Sequence, residues 1–444
     1  MLRGIIRQYK AEVVFVSDII IFGASLALTL FIRYGNASFV SAWHTHRMPF
    51  LVLLVLWLLV FYIAGLYNYA TFRTTLDNGK LFGSALLVNF FLSIAIFYSF
   101  GNFFRLTPKL NLFIFSGIFA VLDSAWRYAL ARILSSKNNR EILLMVSVSP
   151  VAGIAIEHVE KHPQLGTIIH RYGGADGTLE QAVTKYACTA IIVDNAMLKN
   201  ESITRALYKL LSRHIGVQTL EDFYESLFRR VPLQEINEEW FIQEMKKKTN
   251  IYDSVRQLLD VCLSALALII LSPILIIVSI LVGTTSSGPV IYRQKRVGKD
   301  GKEFTLYKFR NMYHAPEKNP DAKSGAPVWW SANDTRVTPV GKILRRTHLD
   351  ELPQLFNILK GNMLFVGPRP ERPEFVATLK EEIPHYMIRS TVKPGLTGWA
   401  QVKYHYGGTV AEAANKLEYD IYYLKNRSFL FDLLILLKTI QKIS

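Results

Sequence analysis

A chain of 444 residues has room for two or three domains; half of its residues are hydrophobic and its mean hydropathy is +0.21, high for a soluble protein. A formal charge of +16 and a pI near 9.6 give a basic surface suited to anionic lipid headgroups or phosphorylated substrates, and the hydrophobic content argues against nucleic acid. Two distant cysteines, Cys188 and Cys262, exclude a disulfide framework or a cysteine metal cluster and fit a reducing, cytoplasm-facing location.

Four apolar segments come first, at 13–32, 49–67, 81–100 and 112–134. Each approaches the ~20 residues needed to cross hydrocarbon, and the first lacks a small-residue cleavage site. They predict a four-helix transmembrane bundle over 1–137. Asp18 and Asp123 fall inside these segments, where helix–helix packing or an interfacial position is the plain account of a buried acid. Basic residues precede the first segment (Arg3, Arg7, Lys10) and follow the fourth (Arg132, Lys137, Arg140). The outer loops carry Arg33, Arg47, Arg105 and Lys109, so the bias toward a cytoplasmic N-terminus is modest.

From Glu141 the pattern changes. Short β-rich runs at 142–148, 167–170 and 189–193 alternate with helical stretches at 151–161, 179–186 and 203–214. That alternation predicts a Rossmann-like α/β module over 138–250. The turn after its first run reads Ser147-Val-Ser-Pro-Val-Ala-Gly153, without the glycines that let backbone approach a pyrophosphate, so a non-catalytic module is expected.

The stretch 258–282 is long enough to cross a membrane but holds Ser272 and Pro273 at its middle. Proline removes a helix hydrogen bond and clashes with the preceding turn. A kinked transmembrane helix satisfies this, as does a helix–break–helix over 255–282 that enters one leaflet and returns. Re-entry keeps the α/β module and all that follows on one side, and is the expectation.

Beyond it, Lys308 and Arg310 alternate with Phe304, Leu306, Tyr307 and Phe309, which in a strand places both cations on one face. A solvated edge strand reads the same way. Leu352, Leu355, Phe356 and Leu359 have helical spacing and predict one buried stripe, with Pro353 in the first turn and Gly361 at the end. Asp350 and Glu351 then sit at the positive end of a helix, as caps or as working carboxylates. One could attack a phosphorus while the other holds a divalent ion, magnesium by preference. Arg345 and Arg346 precede the pair, and Arg369 lies between Pro368 and Pro370, held for clamping a phosphate.

These motifs fall in one order: Leu271-Ser-Pro273, Tyr307-Lys-Phe-Arg310, Asp334-Thr-Arg336, Leu349-Asp-Glu-Leu-Pro-Gln354, Gly367-Pro-Arg-Pro370, Pro394-Gly-Leu-Thr-Gly-Trp-Ala-Gln401 and Tyr419-Asp-Ile-Tyr-Tyr423. On them, the chain from about 252 onward resembles the bacterial sugar transferases, the monotopic polyprenyl-phosphate phosphoglycosyl transferases. The preceding segments resemble the long members that begin exopolysaccharide, capsule or O-antigen synthesis. The resemblance implies a catalytic domain over 251–444 of mixed α/β fold with a re-entrant membrane helix. It also implies a ping-pong reaction. The aspartate matching Asp350 attacks the β-phosphorus of a UDP-sugar and expels UMP, and polyprenyl phosphate then takes the phosphosugar. Glu351 matches a residue that helps hold Mg2+, Arg345 and Arg369 match phosphate-binding arginines, and Ser272-Pro273 matches the helix break. Lys308, Arg310, Asp334, Arg336 and Asp420 carry over only as members of the active-site region. Val402-Lys-Tyr-His-Tyr-Gly-Gly408 departs from the Asn-Gly-Arg pattern of many relatives and points to a different sugar or base-side pocket.

The expectation is thus a membrane protein with its catalytic domain on the cytoplasmic face of the bacterial inner membrane. Its partners are a UDP-sugar, polyprenyl phosphate and the bilayer, and its bundle and α/β module suit a homodimer. Two alternatives compete: a membrane-bound nucleotide-sugar dehydratase or epimerase, which needs the missing glycine loop, and a non-enzymatic assembly scaffold, which leaves the Asp-Glu pair unexplained.

Overall fold

The computed structural model describes residues 10–67, 76–99, 109–135, 141–162, 165–213, 215–245, 250–313, 336–404 and 409–443. Arg3, Arg7, Arg105, Lys137, Arg140, Asp334 and the stretch 405–408 lie outside them. The chain divides into two compact units, 1–223 and 224–444.

The first unit begins with α1 (Lys10–Ile63), α2 (Leu76–Ser99) and α3 (Lys109–Ser135). Two of the predicted apolar segments share α1, because the sequence between them is helical as well. They are separated at Gly35, whose φ of +64° is a left-handed conformation that glycine adopts without a Cβ penalty. The arms fold back on each other: Phe22 meets Phe50 and Trp57, and the Tyr67 hydroxyl donates to Asp18 at 2.8 Å. Phe115 and Phe119 of α3 complete this aromatic core. Four apolar helical segments, each long enough to cross a membrane, therefore precede the α/β region, as the hydropathy predicts. The two buried acids find a shared partner in Arg127, 2.8 Å from Asp18 and 2.7 Å from Asp123, a packing role for both.

The α/β region has strands β1 (Glu141–Val146), β2 (Thr167–Arg171), β3 (Ala190–Val193) and β4 (Gly216–Thr219), all parallel, in the order β2-β1-β3-β4. Helices α4 (Pro150–Lys161), α5 (Leu179–Tyr186) and α6 (Glu201–Leu211) connect them. Where β1 and β3 end, a doubly wound sheet offers its ligand crevice. Here Asp194 accepts from Ser147 Oγ and from the Val148 amide at 3.1 Å. The turn that lacks glycines thus directs its donors to an internal carboxylate.

In the second unit, residues 224–245, including α7 (Glu238–Glu244), pack with the C-terminal region: Val231, Ile236 and Trp240 share a core with Leu379, Leu417 and Ile421. The long apolar helix α8 runs from Asn250 to Thr285. The predicted break at Ser272-Pro273 is not a break in helical backbone. Pro273 leaves the Ile269 carbonyl without its usual amide donor, and Ser272 Oγ supplies one at 2.8 Å. Helix α8 also packs on its own domain along its length. Arg256 pairs with Asp432 at 2.8 Å, and Asp260 accepts from the Phe365 amide at 3.0 Å. Ala267, Leu268 and Leu271 adjoin Ile358 and Met363, and Val278 and Val282 adjoin Phe309 and Leu344. The other face, from Leu258 through Ile269, Ile270, Ile277 and Ile280, is exposed.

After α8 come the antiparallel pair β5 (Ile291–Val297) and β6 (Glu303–Phe309), then α9 (Pro339–Thr347) and a 3-10 turn at Leu349–Glu351. They are followed by α10 (Gln354–Leu359), β7 (Leu364–Val366), α11 (Pro373–Glu382) and β8 (Gly395–Thr397), which pairs in parallel with β7. Helices α12 (Trp399–Lys403), α13 (Val410–Asn426) and α14 (Phe429–Ile443) close the chain.

Candidate active site

The carboxylate pair does not open the helix that the spacing predicts. Helix α9 is capped by Thr338, whose Oγ1 accepts from the Gly341 amide at 2.9 Å, and ends at His348 with a left-handed φ of 56°. This reversal puts Asp350 and Glu351 in a separate 3-10 turn, and α10 is only six residues long. The predicted buried stripe is also corrected: Leu355 is buried, but Phe356 is 44% exposed and Leu359 39%. Asn357 takes the inward face instead. Among the described residues strand β6 pairs only with β5, and the Asn357 carboxamide bonds its other edge, accepting from Tyr307 N at 3.0 Å and donating to Thr305 O at 2.7 Å.

Asp350 is buried and accepts from Asn311 Nδ2 at 2.6 Å. Asn311 lies just beyond β6, and its Oδ1 in turn accepts from Arg345 at 3.4 Å. Gly341 makes this closeness possible, since a Cβ there would stand 2.0 Å from the Asn311 carbonyl oxygen. Glu351 accepts from Arg369 at 2.7 Å. The loop bearing Arg369 is fixed by a backbone crossing: a Cβ on Gly395 would meet Gly367 N at 2.0 Å, and one on Gly398 would meet Gly367 O at 2.2 Å.

The two neighbouring carboxyls are driven apart. Burial pushes Asp350 above the ordinary carboxylate range and the Glu351 charge adds to this, while Lys308, the Asn311 bond and Arg345 oppose it. Burial alone would raise Glu351 too, but the charge and hydrogen bond of Arg369, with Lys308 and His348, bring it below its ordinary value. Lys308 is pulled down to about 8 by burial and by Arg296, against the attraction of both carboxylates. It lies across from Tyr292 in the strand register, its ammonium 5.4 Å from the ring centroid.

Of the sequence candidates, Asp350, Glu351, Arg345, Arg369 and Lys308 form one cluster. Arg310 does not join it. Its guanidinium donates to Val282 O at 3.1 Å, Ser286 O at 2.6 Å and Pro289 O, clamping the carbonyl end of α8 where a cation suits the helix dipole. Arg336 is buried, and its carbonyl accepts from Tyr313 N at 2.9 Å.

Asp420, on α13, reaches the cluster indirectly. It pairs with Arg389 at 2.9 Å; Arg389 also donates to Tyr386 Oη at 2.9 Å and to the Arg369 carbonyl at 2.9 Å. A chain of contacts therefore runs from Asp420 through Arg389 and Arg369 to Glu351. A shallow cleft opens beside it, lined by Gly298, Arg369, Glu371, Tyr386 and Arg389. Asn311, Tyr386 and Arg389 are the site residues that sequence reading missed. Asn311 was marked only by its place directly after the alternating strand, and Arg389 carried no local signal.

A buried Asp350 beside a half-buried Glu351, with lysine and arginine around them, on a domain bound along a 36-residue apolar helix, defines a membrane-associated enzyme with a carboxylate-and-cation site. Comparison with known proteins narrows the class. The family model described as "Bacterial sugar transferase" matches residues 251–444. A UDP-N-acetylgalactosamine-undecaprenyl-phosphate N-acetylgalactosaminephosphotransferase of Aeromonas hydrophila is 36% identical over 258 residues, 57% of this chain and 58% of that protein. A UDP-glucose:undecaprenyl-phosphate glucose-1-phosphate transferase of Klebsiella pneumoniae is 34% identical over 66% of this chain and 63% of its own length. The chain thus spans less than two thirds of these two relatives. It is also 37% identical to the Exopolysaccharide production protein PSS of Rhizobium leguminosarum, over 42% of this chain and 93% of that protein. The chain belongs to the bacterial sugar transferase family.

Proposed function

We propose that the chain transfers a sugar 1-phosphate from a UDP-sugar to undecaprenyl phosphate, or a similar polyprenyl phosphate. The site is the cytoplasmic face of the bacterial plasma membrane, and the product starts an exopolysaccharide, capsule or O-antigen. The observation that carries this reading is the adjacent Asp350 and Glu351 set among cations, Asp350 bonded to Asn311, which Arg345 reaches, and Glu351 bonded to Arg369. The relatives' printed names supply the donor and acceptor classes.

In the first step an Asp350 carboxylate oxygen bonds to the β-phosphorus, and the bond from that phosphorus to the bridging oxygen breaks. UMP leaves with the bridging oxygen. In the second, a phosphate oxygen of the polyprenyl phosphate attacks the same phosphorus and returns Asp350 as a carboxylate. A carboxylate raised by burial is the better nucleophile once ionised, and Lys308 and Asn311 keep its ionised form accessible. Arg345 and Arg369 offer planar donors to the phosphates. Phosphoryl transfer asks for little beyond in-line placement and neutralised charge.

Mg2+ suits this donor set. Glu351 presents a hard carboxylate whose second oxygen has no hydrogen-bond donor among the described residues, and phosphate oxygens can complete the sphere. Glu351 would hold the ion, and when bound it would neutralise charge on the diphosphate.

The packing of α8 supports a one-sided attachment. The helix is ~54 Å long. A helix crossing the bilayer has its middle in hydrocarbon, whereas the middle of α8 lies against Ile358 and Met363 of the domain it starts and ends on. Its exposed face, with Phe356 and Leu359 beside the carboxylates, suits a bilayer surface.

In the test, the purified chain is mixed with Mg2+ and each of a panel of UDP-sugars, without acceptor lipid. One sugar should release about one UMP per chain and then stop, and Asp350→Asn should release none. Sugar nucleotide consumed without UMP would contradict the proposal.

A further inference from the structure

Three cations of the C-terminal unit face one another with no acid between them. Arg229 has a left-handed backbone, φ 53°, rare for a residue with a Cβ, and its carbonyl accepts from Trp399 Nε1 at 2.9 Å. Lys403 closes the helix that Trp399 opens, its ammonium 5.1 Å from the indole centroid. Lys438 follows Phe431 by seven positions and Leu434 by four, so it shares their helix face. Leu434 is buried and the Phe431 ring lies 5.0 Å from that of Trp399, which makes the face an inward one.

Nearby basic residues are paired: Arg230 with Glu418 at 3.1 Å, Lys425 with Glu225 and Glu244 at 2.9 Å, and Arg427 with Asp253 at 2.8 Å. Among the described residues, Arg229, Lys403 and Lys438 pair with no acid. Crowding by the protein, then the charges of Lys438 and Arg229, bring Lys403 down to about 8. Burial and Arg229 lower Lys438. Arg229 and Lys438 are half-buried and Lys403 is exposed, and like charges drawn together from three separate segments repel one another unless an anion joins them.

We propose that Arg229, Lys403 and Lys438 form a binding site for a phosphate group, packed against Trp399 and sharing no residue with the carboxylate site. A guanidinium fork and two ammoniums can each donate to one phosphate. The phosphate belongs either to an anionic lipid headgroup or to a free phosphate. Helix α14 brings the bilayer close, since Phe429 and Leu433 on its other side are exposed.

The experiment follows the melting temperature of the full chain in detergent as short-chain phosphatidylglycerol or inorganic phosphate is added at constant ionic strength. Wild type is compared with Lys403→Gln/Lys438→Gln, both in an Arg369→Ala background that disables the other phosphate-binding site. The melting temperature should rise in the background chain, and the apparent affinity should fall at least tenfold in the double variant. A response to phosphatidylglycerol alone assigns a lipid headgroup, and an equal response to inorganic phosphate assigns a free phosphate. Without ligand, the double variant should melt no lower than its parent, because the repulsion it loses offsets the lost contact of Lys403 with the Trp399 ring. Equal ligand responses in the two chains, or a lower melting temperature of the unliganded variant, would overturn the proposal.

Discussion

Asp420→Asn separates holding the site in place from acting in it. The substitution keeps the shape of a buried side chain and removes the charge facing Arg389. Leaving one member of a buried ion pair without its partner costs about 3–5 kcal/mol. The asparagine oxygen can still accept from Arg389, which places the effect near the low end, about 3 kcal/mol. For a unit of this size, each kcal/mol moves the melting temperature by about 2–4 °C, so a fall of roughly 6–12 °C is expected. Arg389 also holds the Arg369 carbonyl, and Arg369 holds Glu351, so the damage should reach the phosphate-binding side. Thermal unfolding is measured alongside UMP release against donor concentration, well below the melting point. KM for the UDP-sugar should rise by more than kcat falls. An unchanged melting temperature would refute the buried pair. A lower one with unchanged KM and kcat would refute the positioning role.

Other outcomes follow from the same geometry. UMP release should decline as pH falls through the pKa of Asp350, which lies above the ordinary carboxylate range, and Asn311→Ala should move that decline to higher pH by removing a bond to the ionised form; a pH–rate profile checks both. Glu351 has the opposite sign. Its folded pKa is depressed, so its contribution to stability is whole above the ordinary carboxylate range and disappears only as pH drops through the lower folded value, which acid unfolding of Glu351→Gln against wild type would detect. Chelation should abolish UMP release and added Mg2+ should restore it; release that persists in excess chelator counts against the ion. Single cysteines at Tyr252 and Gly288 should react with a membrane-impermeant reagent from the same side, and reaction from opposite sides would rule out re-entry.

Much of this architecture was legible because it rests on short-range chemistry. Twenty-residue apolar runs, the β-run and helix alternation after Glu141, and the Asp350-Glu351 and Pro368-Arg369-Pro370 motifs are all local. What escaped depends on contacts between distant segments. The spacing of Leu352, Leu355, Phe356 and Leu359 gives a helix period but does not register that the open edge of β6 draws Asn357 inward. Arg310 reads as a neighbour of Lys308 until the end of α8 supplies its carbonyl acceptors. The left-handed His348 that removes the carboxylates from a helix start is the single residue between α9 and the 3-10 turn, and residue type alone does not mark it. Ser272-Pro273 announces a disturbed helix, and only the Ser272–Ile269 hydrogen bond shows how the helix continues through it.

The central claim is that Asp350 itself receives the phosphosugar. Wild type and Asp350→Asn are incubated with Mg2+ and the UDP-sugar that releases UMP, quenched, digested and mapped by mass spectrometry. The account predicts one sugar-phosphate adduct per wild-type chain, on the peptide bearing Asp350, discharged by added polyprenyl phosphate and absent from Asp350→Asn. An adduct on any other residue, or one that survives in Asp350→Asn, would contradict it.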